Sequence, residues 1–76
     1  MSAEQEDLLE MVTADLCACV MKYEGMTMQE ALYTVYVSQL YGKMQDPKTL
    51  LYRESALYLY DMLCEERDVA KAYVKG

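Results

Sequence analysis

Three residue types could carry chemistry in this chain: cysteine, carboxylate and tyrosine. Cys17 and Cys19 lie two apart, and Cys64 stands alone. A nucleophilic cysteine needs a neighbouring base or a depressed pKa. The chain has no His, so a Cys-His pair within it is excluded. On a helix, residues two apart point about 200° away from each other. Cys17 and Cys19 therefore cannot clamp one metal, and three cysteines at these spacings build no disulfide framework. They read as small buried hydrophobes. Free thiols of this kind belong in a reducing cytosol, so the localisation expected is cytoplasmic.

The carboxylates divide into two groups. Glu4, Glu6, Asp7 and Glu10 occupy the first turns of an expected helix, where the helix dipole favours negative charge. Glu65, Glu66 and Asp68 cluster near the end of a later one. A general acid/base pair needs a pocket that drives the two pKa values apart. A small helical bundle rarely holds a cavity of several hundred Å³, so the second cluster reads as a solvated charged face. The expectation is no catalytic residue, no cofactor and no metal, hence no enzyme.

Tyrosine is the informative type. All eight aromatic residues are Tyr, with no Phe and no Trp. A core built for packing alone would use some Phe, because each buried Tyr must find a hydrogen-bond partner. An interfacial Tyr keeps its hydroxyl wet, and Tyr is enriched at protein–protein interfaces. Seven Met add adaptable apolar surface.

The elements that must position these residues follow from the breaks. Gly occurs three times and Pro once. A first helix is predicted over 3–23, with Ser2 as N-cap and Gly25 as the left-handed stop. Leu8, Val12, Leu16, Cys19 and Tyr23 recur at helical spacing, widened by Leu9, Met11, Cys17 and Val20. Thr27-Met28-Gln29-Glu30 is a capping box. It opens a second helix over 28–41, which Gly42 closes. Between Met26 and Gly42 the sole charge is Glu30, and apolar side chains cover most of the helix. Such a helix must be buried on most sides. It is expected to be the most buried element, completed by a partner chain because two other helices cannot surround it.

Asp46-Pro47 then reads as an N-cap with Pro at the first helical position. Either one long helix follows, or a short turn over 47–53 and a third helix over 55–68 capped by Ser55. That helix carries a core stripe of Ala56, Leu59, Tyr60 and Leu63, and Val69–Gly76 is expected to fray. The architecture predicted is all-α, a single domain over 1–76, with three main helices plus a short helical turn.

The bulk numbers agree with one small core. Seventy-six residues bury roughly 60–65% of their unfolded surface. Hydrophobic content of 54% excludes a disordered acidic tail. A net charge of −6 argues against nucleic acid and anionic membrane, since phosphate binding needs Lys and Arg. A DNA-reading helix is disfavoured for the same reason. The longest uncharged stretch, Ala31 to Gly42, is far short of the roughly 20 apolar residues of a membrane span. The acidic opening is not that of a secretory leader.

The segment from Glu30 to Glu66 resembles a family of short, all-helical bacterial proteins of unknown function. Ser38 with Tyr41, Asp46, the Leu51-Tyr52 pair, and Ser55 with Tyr58 carry the resemblance. Two positions depart from it. Leu50 stands where a Gly commonly precedes the Leu-Tyr pair, which puts a tight turn there in doubt. Ala56 replaces a Pro that often follows the Ser. The Pro form supports Ser55 as a cap and favours the two-segment reading of 47–68. The resemblance implies a small partner protein of the kind encoded beside toxins, and it brings no catalytic residues.

Two functions remain. One is an acidic protein-binding module, antitoxin-like, steered to a basic partner by its charge. The other is a self-associating structural homodimer built on the second helix. The expected contact residues are Tyr33, Tyr36, Val37, Leu40 and Tyr41, with Tyr52 and Tyr58 secondary.

Overall fold

The computed structural model describes the backbone of residues 3–75 and the side chains of 3–68. The Ser2 cap and the side chains after Asp68 lie outside the described residues. Every regular element among them is helical. Helix α1 spans Ala3–Glu24. Gly25 ends it at φ 66°, with its N–H donating to the Met21 carbonyl at 3.0 Å. Glycine adopts this left-handed conformation without the strain a Cβ would bring.

Helix α2, Met28–Tyr36, starts on the capping box. The Glu30 N–H donates to Thr27 Oγ1 at 3.2 Å, and the Thr27 N–H donates to Glu30 Oε1 at 2.9 Å. The single helix expected over 28–41 is broken. Val37 ends α2, Ser38 turns extended at ψ 151°, and α3 follows over Gln39–Gln45. The bundle therefore has four helices, not three. Ser38 explains part of the break. Its hydroxyl donates to the Val35 carbonyl and accepts from the Tyr41 amide, offering the backbone an alternative to continued helix.

Two 3₁₀ turns, Pro47–Thr49 and Leu51–Arg53, lead into helix α4, Ala56–Lys75. Asp46 caps the first turn, its Oδ1 accepting from the Lys48 amide at 3.0 Å. Ser55 Oγ accepts from the Tyr58 amide at 3.2 Å, so the two-segment reading is the one the chain adopts. The tight turn survives the departure at position 50, because Leu50 itself takes the left-handed conformation at φ 57°. The α4 backbone is helical to Lys75, well past the predicted end at 68.

The core gathers Val12, Leu16, Cys17 and Val20 from α1, Ala31 and Val35 from α2, Leu40 and Met44 from α3, and Leu59 and Leu63 from α4. The α1 stripe is rotated from the one expected, for Leu8, Met11 and Tyr23 are exposed. Nor is the second helix the most buried element. Its two core residues compare with five buried residues on α1. The cause is the shape of the molecule. Its shortest dimension is 18 Å, the thickness of two helix layers packed about 8–10 Å apart. In two layers every helix keeps an outer face.

Candidate functional site

The outer face of α2 brings three exposed large apolar side chains together. Tyr33, Tyr36 and Val37 follow at spacings of three and four and share one side of the helix. They are 70%, 52% and 61% exposed. Glu30, the one charge on α2, has its carboxylate engaged at Thr27, which holds its pKa below the usual carboxylate range. The face is thus apolar and aromatic, with one ionised carboxylate at its N-terminal end held by the Thr27 amide.

The other expected contact residues fall elsewhere. Leu40 is buried under α3, and Tyr52 is buried with its hydroxyl accepting from Gln5 Nε2 at 3.0 Å. Neither is open to a partner while the chain is folded. Tyr58 is exposed on α4 beside exposed Leu57. Tyr41 is half-buried, and its ring meets that of Tyr36 at 4.9 Å and 54°.

The α2 face is flanked by two depressions. One, of about 270 Å³, separates Tyr33, Val37 and Ser38 from Leu63, Glu66 and Arg67 of α4. The other, of about 440 Å³, lies between α1 and the α2–α3 segment. Leu9 and Leu32 give it an apolar lining, Tyr36 and Tyr41 an aromatic one, and Glu6 and Glu10 an acidic one. Thr13 also lines it. The Thr13 Oγ1 is buried and finds no hydrogen-bond partner among the described residues. A buried hydroxyl left so costs about 1–3 kcal/mol. Burial raises the Tyr41 phenol above its ordinary pKa, and Tyr36, Cys17 and Glu10 add to the shift. Sequence reasoning missed this depression. The helical stripe drawn on α1 included Leu9 but placed no polar residue beside it.

A polar cluster joins α1 to α4. Arg67 Nη1 donates to both oxygens of Glu24, at 2.7 and 2.6 Å, and the Tyr60 hydroxyl donates to Glu24 Oε2 at 3.1 Å. The Tyr23 ring stacks on Tyr60 at 5.4 Å and 23°. Burial, followed by hydrogen bonds with Cys64 and Glu24, raises the Tyr60 phenol far above its usual range. The bonds to Glu24 likewise raise Arg67. Tyr60 stays a neutral donor and Arg67 a cation, which makes the cluster a clamp between helices. Burial also raises the Cys17 thiol, away from the thiolate a nucleophile requires.

Glu66 is the residue whose role the sequence concealed. Its two oxygens accept from the Gln39 and Leu40 amides, both at 2.9 Å. It caps α3 from α4, across 27 and 26 residues. Nothing in the spacing of Glu65, Glu66 and Asp68 singles it out.

Among the described residues no group of three acid or cysteine side chains could hold a metal ion. No helix formed by them is long and apolar enough to cross a membrane. No family model matches the chain, and no curated protein or solved structure does so either.

Proposed function

We propose that this chain is a non-enzymatic acidic module that binds another protein through the outer face of α2, as an antitoxin-like neutraliser does. The observation that carries the reading is the exposure of Tyr33, Tyr36 and Val37 together on one helical face. Rigid aromatic side chains supply contact area at low entropic cost, and Tyr is a preferred anchor at interfaces. A charge of −6 on 76 residues steers a basic partner toward the chain. The resemblance of Glu30 to Glu66 to short bacterial helical proteins points the same way. Three free cysteines fit a cytoplasmic setting.

A second reading is a homodimer across the same face. One observation favours it: the exposed Tyr33, Tyr36 and Val37 side chains are uncharged, so two copies could pack them against each other across a two-fold axis.

Tyr33→Glu combined with Val37→Glu separates the two. Both side chains are exposed, so the variant is expected to fold with an unchanged helical spectrum. Mass by light scattering is followed over a hundredfold range of concentration, together with retention of proteins from a bacterial lysate. Loss of a retained basic protein at unchanged monomeric mass supports the module. A wild-type dimer that the substitutions split supports the second reading. A monomer that retains the same proteins with and without the substitutions overturns both.

A further inference from the structure

The depression between α1 and the α2–α3 segment has a composition that selects its occupant. Glu6 and Glu10 stand one turn apart on α1, and both are exposed at its rim. Among the described residues the ion pair is Arg67 with Glu24, so neither of these carboxylates is paired with a cation of that set. Tyr36 and Tyr41 offer ring faces inclined at 54° to each other. Thr13 Oγ1 waits buried without a partner. No Lys or Arg of the described chain lines the space.

We propose that this depression is an arginine notch, taking the guanidinium of an arginine side chain presented by a basic partner protein. The inference rests on the protein-binding reading above and deepens it by naming what the partner brings. Arginine fits each observed feature. Its planar cation lies over an aromatic ring and is attracted by the ring face. Its five N–H donors suit a site that offers several acceptors, here the two rim carboxylates and the Thr13 hydroxyl. Its weak hydration lets it leave water more readily than an ammonium does. Its methylene stem matches the apolar contribution of Leu9 and Leu32. The volume of about 440 Å³ lies within the range of ligand sites. The raised Tyr41 phenol reflects, in part, the negative potential of Glu10 at the same place.

The test is a titration of the isotopically labelled full chain with a blocked peptide, Gly-Ser-Arg-Arg-Ser-Gly, followed by amide chemical shifts. Its counterpart carries citrulline, the neutral isostere, in place of arginine. Saturable shifts centred on Thr13, Tyr36 and Tyr41 are expected with arginine and absent with citrulline. The double variant E6Q/E10Q alters two exposed side chains and keeps the fold. It is expected to weaken binding at least tenfold. T13V removes the orphan hydroxyl, so it should leave the melting temperature equal or higher while weakening binding several-fold. Unchanged affinity in T13V overturns the proposal, because the orphan hydroxyl is what sets the notch apart from a pair of surface carboxylates. Shifts of equal size in E6Q/E10Q, or no shift at all, overturn the proposal. Shifts confined to Tyr33 and Val37 overturn the notch and leave the protein-binding reading standing. That reading fails separately, through the Tyr33→Glu and Val37→Glu experiment.

Discussion

The junction between α1 and α2 and the junction between α2 and α3 do the same job by different means. At the first, everything needed lies within six residues. Gly25 takes the left-handed stop, and Thr27 and Glu30 satisfy each other's amides. At the second, Ser38 supplies a local cap through the Tyr41 amide, but the Gln39 and Leu40 amides are satisfied by Glu66 on α4. A turn stabilised from within can form before the rest of the chain packs. A turn stabilised from another helix forms with the tertiary structure. The second junction also fixes how α2 presents Tyr33, Tyr36 and Val37, so the presentation of this exposed face depends on the docking of α4.

The comparison breaks most sharply at Glu66. Glu66→Ala leaves two amides without their charged acceptor, and the Leu40 amide is partly buried. Hydrogen bonds to charged groups contribute about 1.5–3 kcal/mol, so a loss of about 2 kcal/mol is expected in urea unfolding. Thr27→Ala removes one local cap and should cost about 1 kcal/mol. If Glu66→Ala costs no more than Thr27→Ala, Ser38 alone holds the second junction and the contrast collapses. Hydrogen exchange adds a second readout. Glu66→Ala should speed exchange at Gln39 and Leu40 and leave Thr27 and Glu30 unchanged.

These differences set how much the sequence disclosed. Gly25, Thr27, Glu30, Asp46 and Ser55 were legible because each cap acts within four residues of itself. The break at Val37–Ser38 was not legible. An apolar run with one Ser reads as continuous helix until a carboxylate 27 residues away is known to face it. Burial was half legible for a related reason. Periodicity shows that a helix has an apolar side, but α2 is apolar nearly all round, so periodicity could not choose its inward side. Packing chose Ala31 and Val35 and left Tyr33 and Val37 outside. The depression beside Thr13 needed three-dimensional neighbours and left no mark in the spacing.

A smaller effect tests the two left-handed residues against each other. Gly25 and Leu50 share nearly the same φ, 66° and 57°, yet only one is glycine. A left-handed L-residue costs roughly 1–2 kcal/mol, partly offset in a Gly variant by the greater freedom of the unfolded chain. Leu50→Gly should therefore raise stability by about 0.5–1 kcal/mol. Gly25→Ala should lower it by about 1 kcal/mol, since the space there is open and only the backbone objects. Denaturation midpoints moving in opposite directions sharpen the comparison. A loss in Leu50→Gly would mean that contacts of the half-exposed Leu50 side chain outweigh its backbone strain.

The smallest effect concerns the pH response of the first junction. Glu30 has a pKa below the usual value because its carboxylate accepts from the Thr27 backbone amide and interacts with the Thr27 side chain. A depressed folded pKa means that the ionised carboxylate favours the folded state. That contribution is fully present above the unfolded value of about 4.3. It fades as pH falls through the folded pKa, where the native carboxylate also takes up a proton. Glu30→Gln keeps a side-chain acceptor but no longer titrates. The difference in melting temperature between wild type and Glu30→Gln should hold constant near neutrality and narrow below about pH 4. Faster exchange of the Thr27 amide in the same acid range would locate the change at the box. A difference that stays flat through the acid range would leave the Thr27 hydroxyl as the sole working half of the cap, and the first junction would then be held by one bond where the second is held by three.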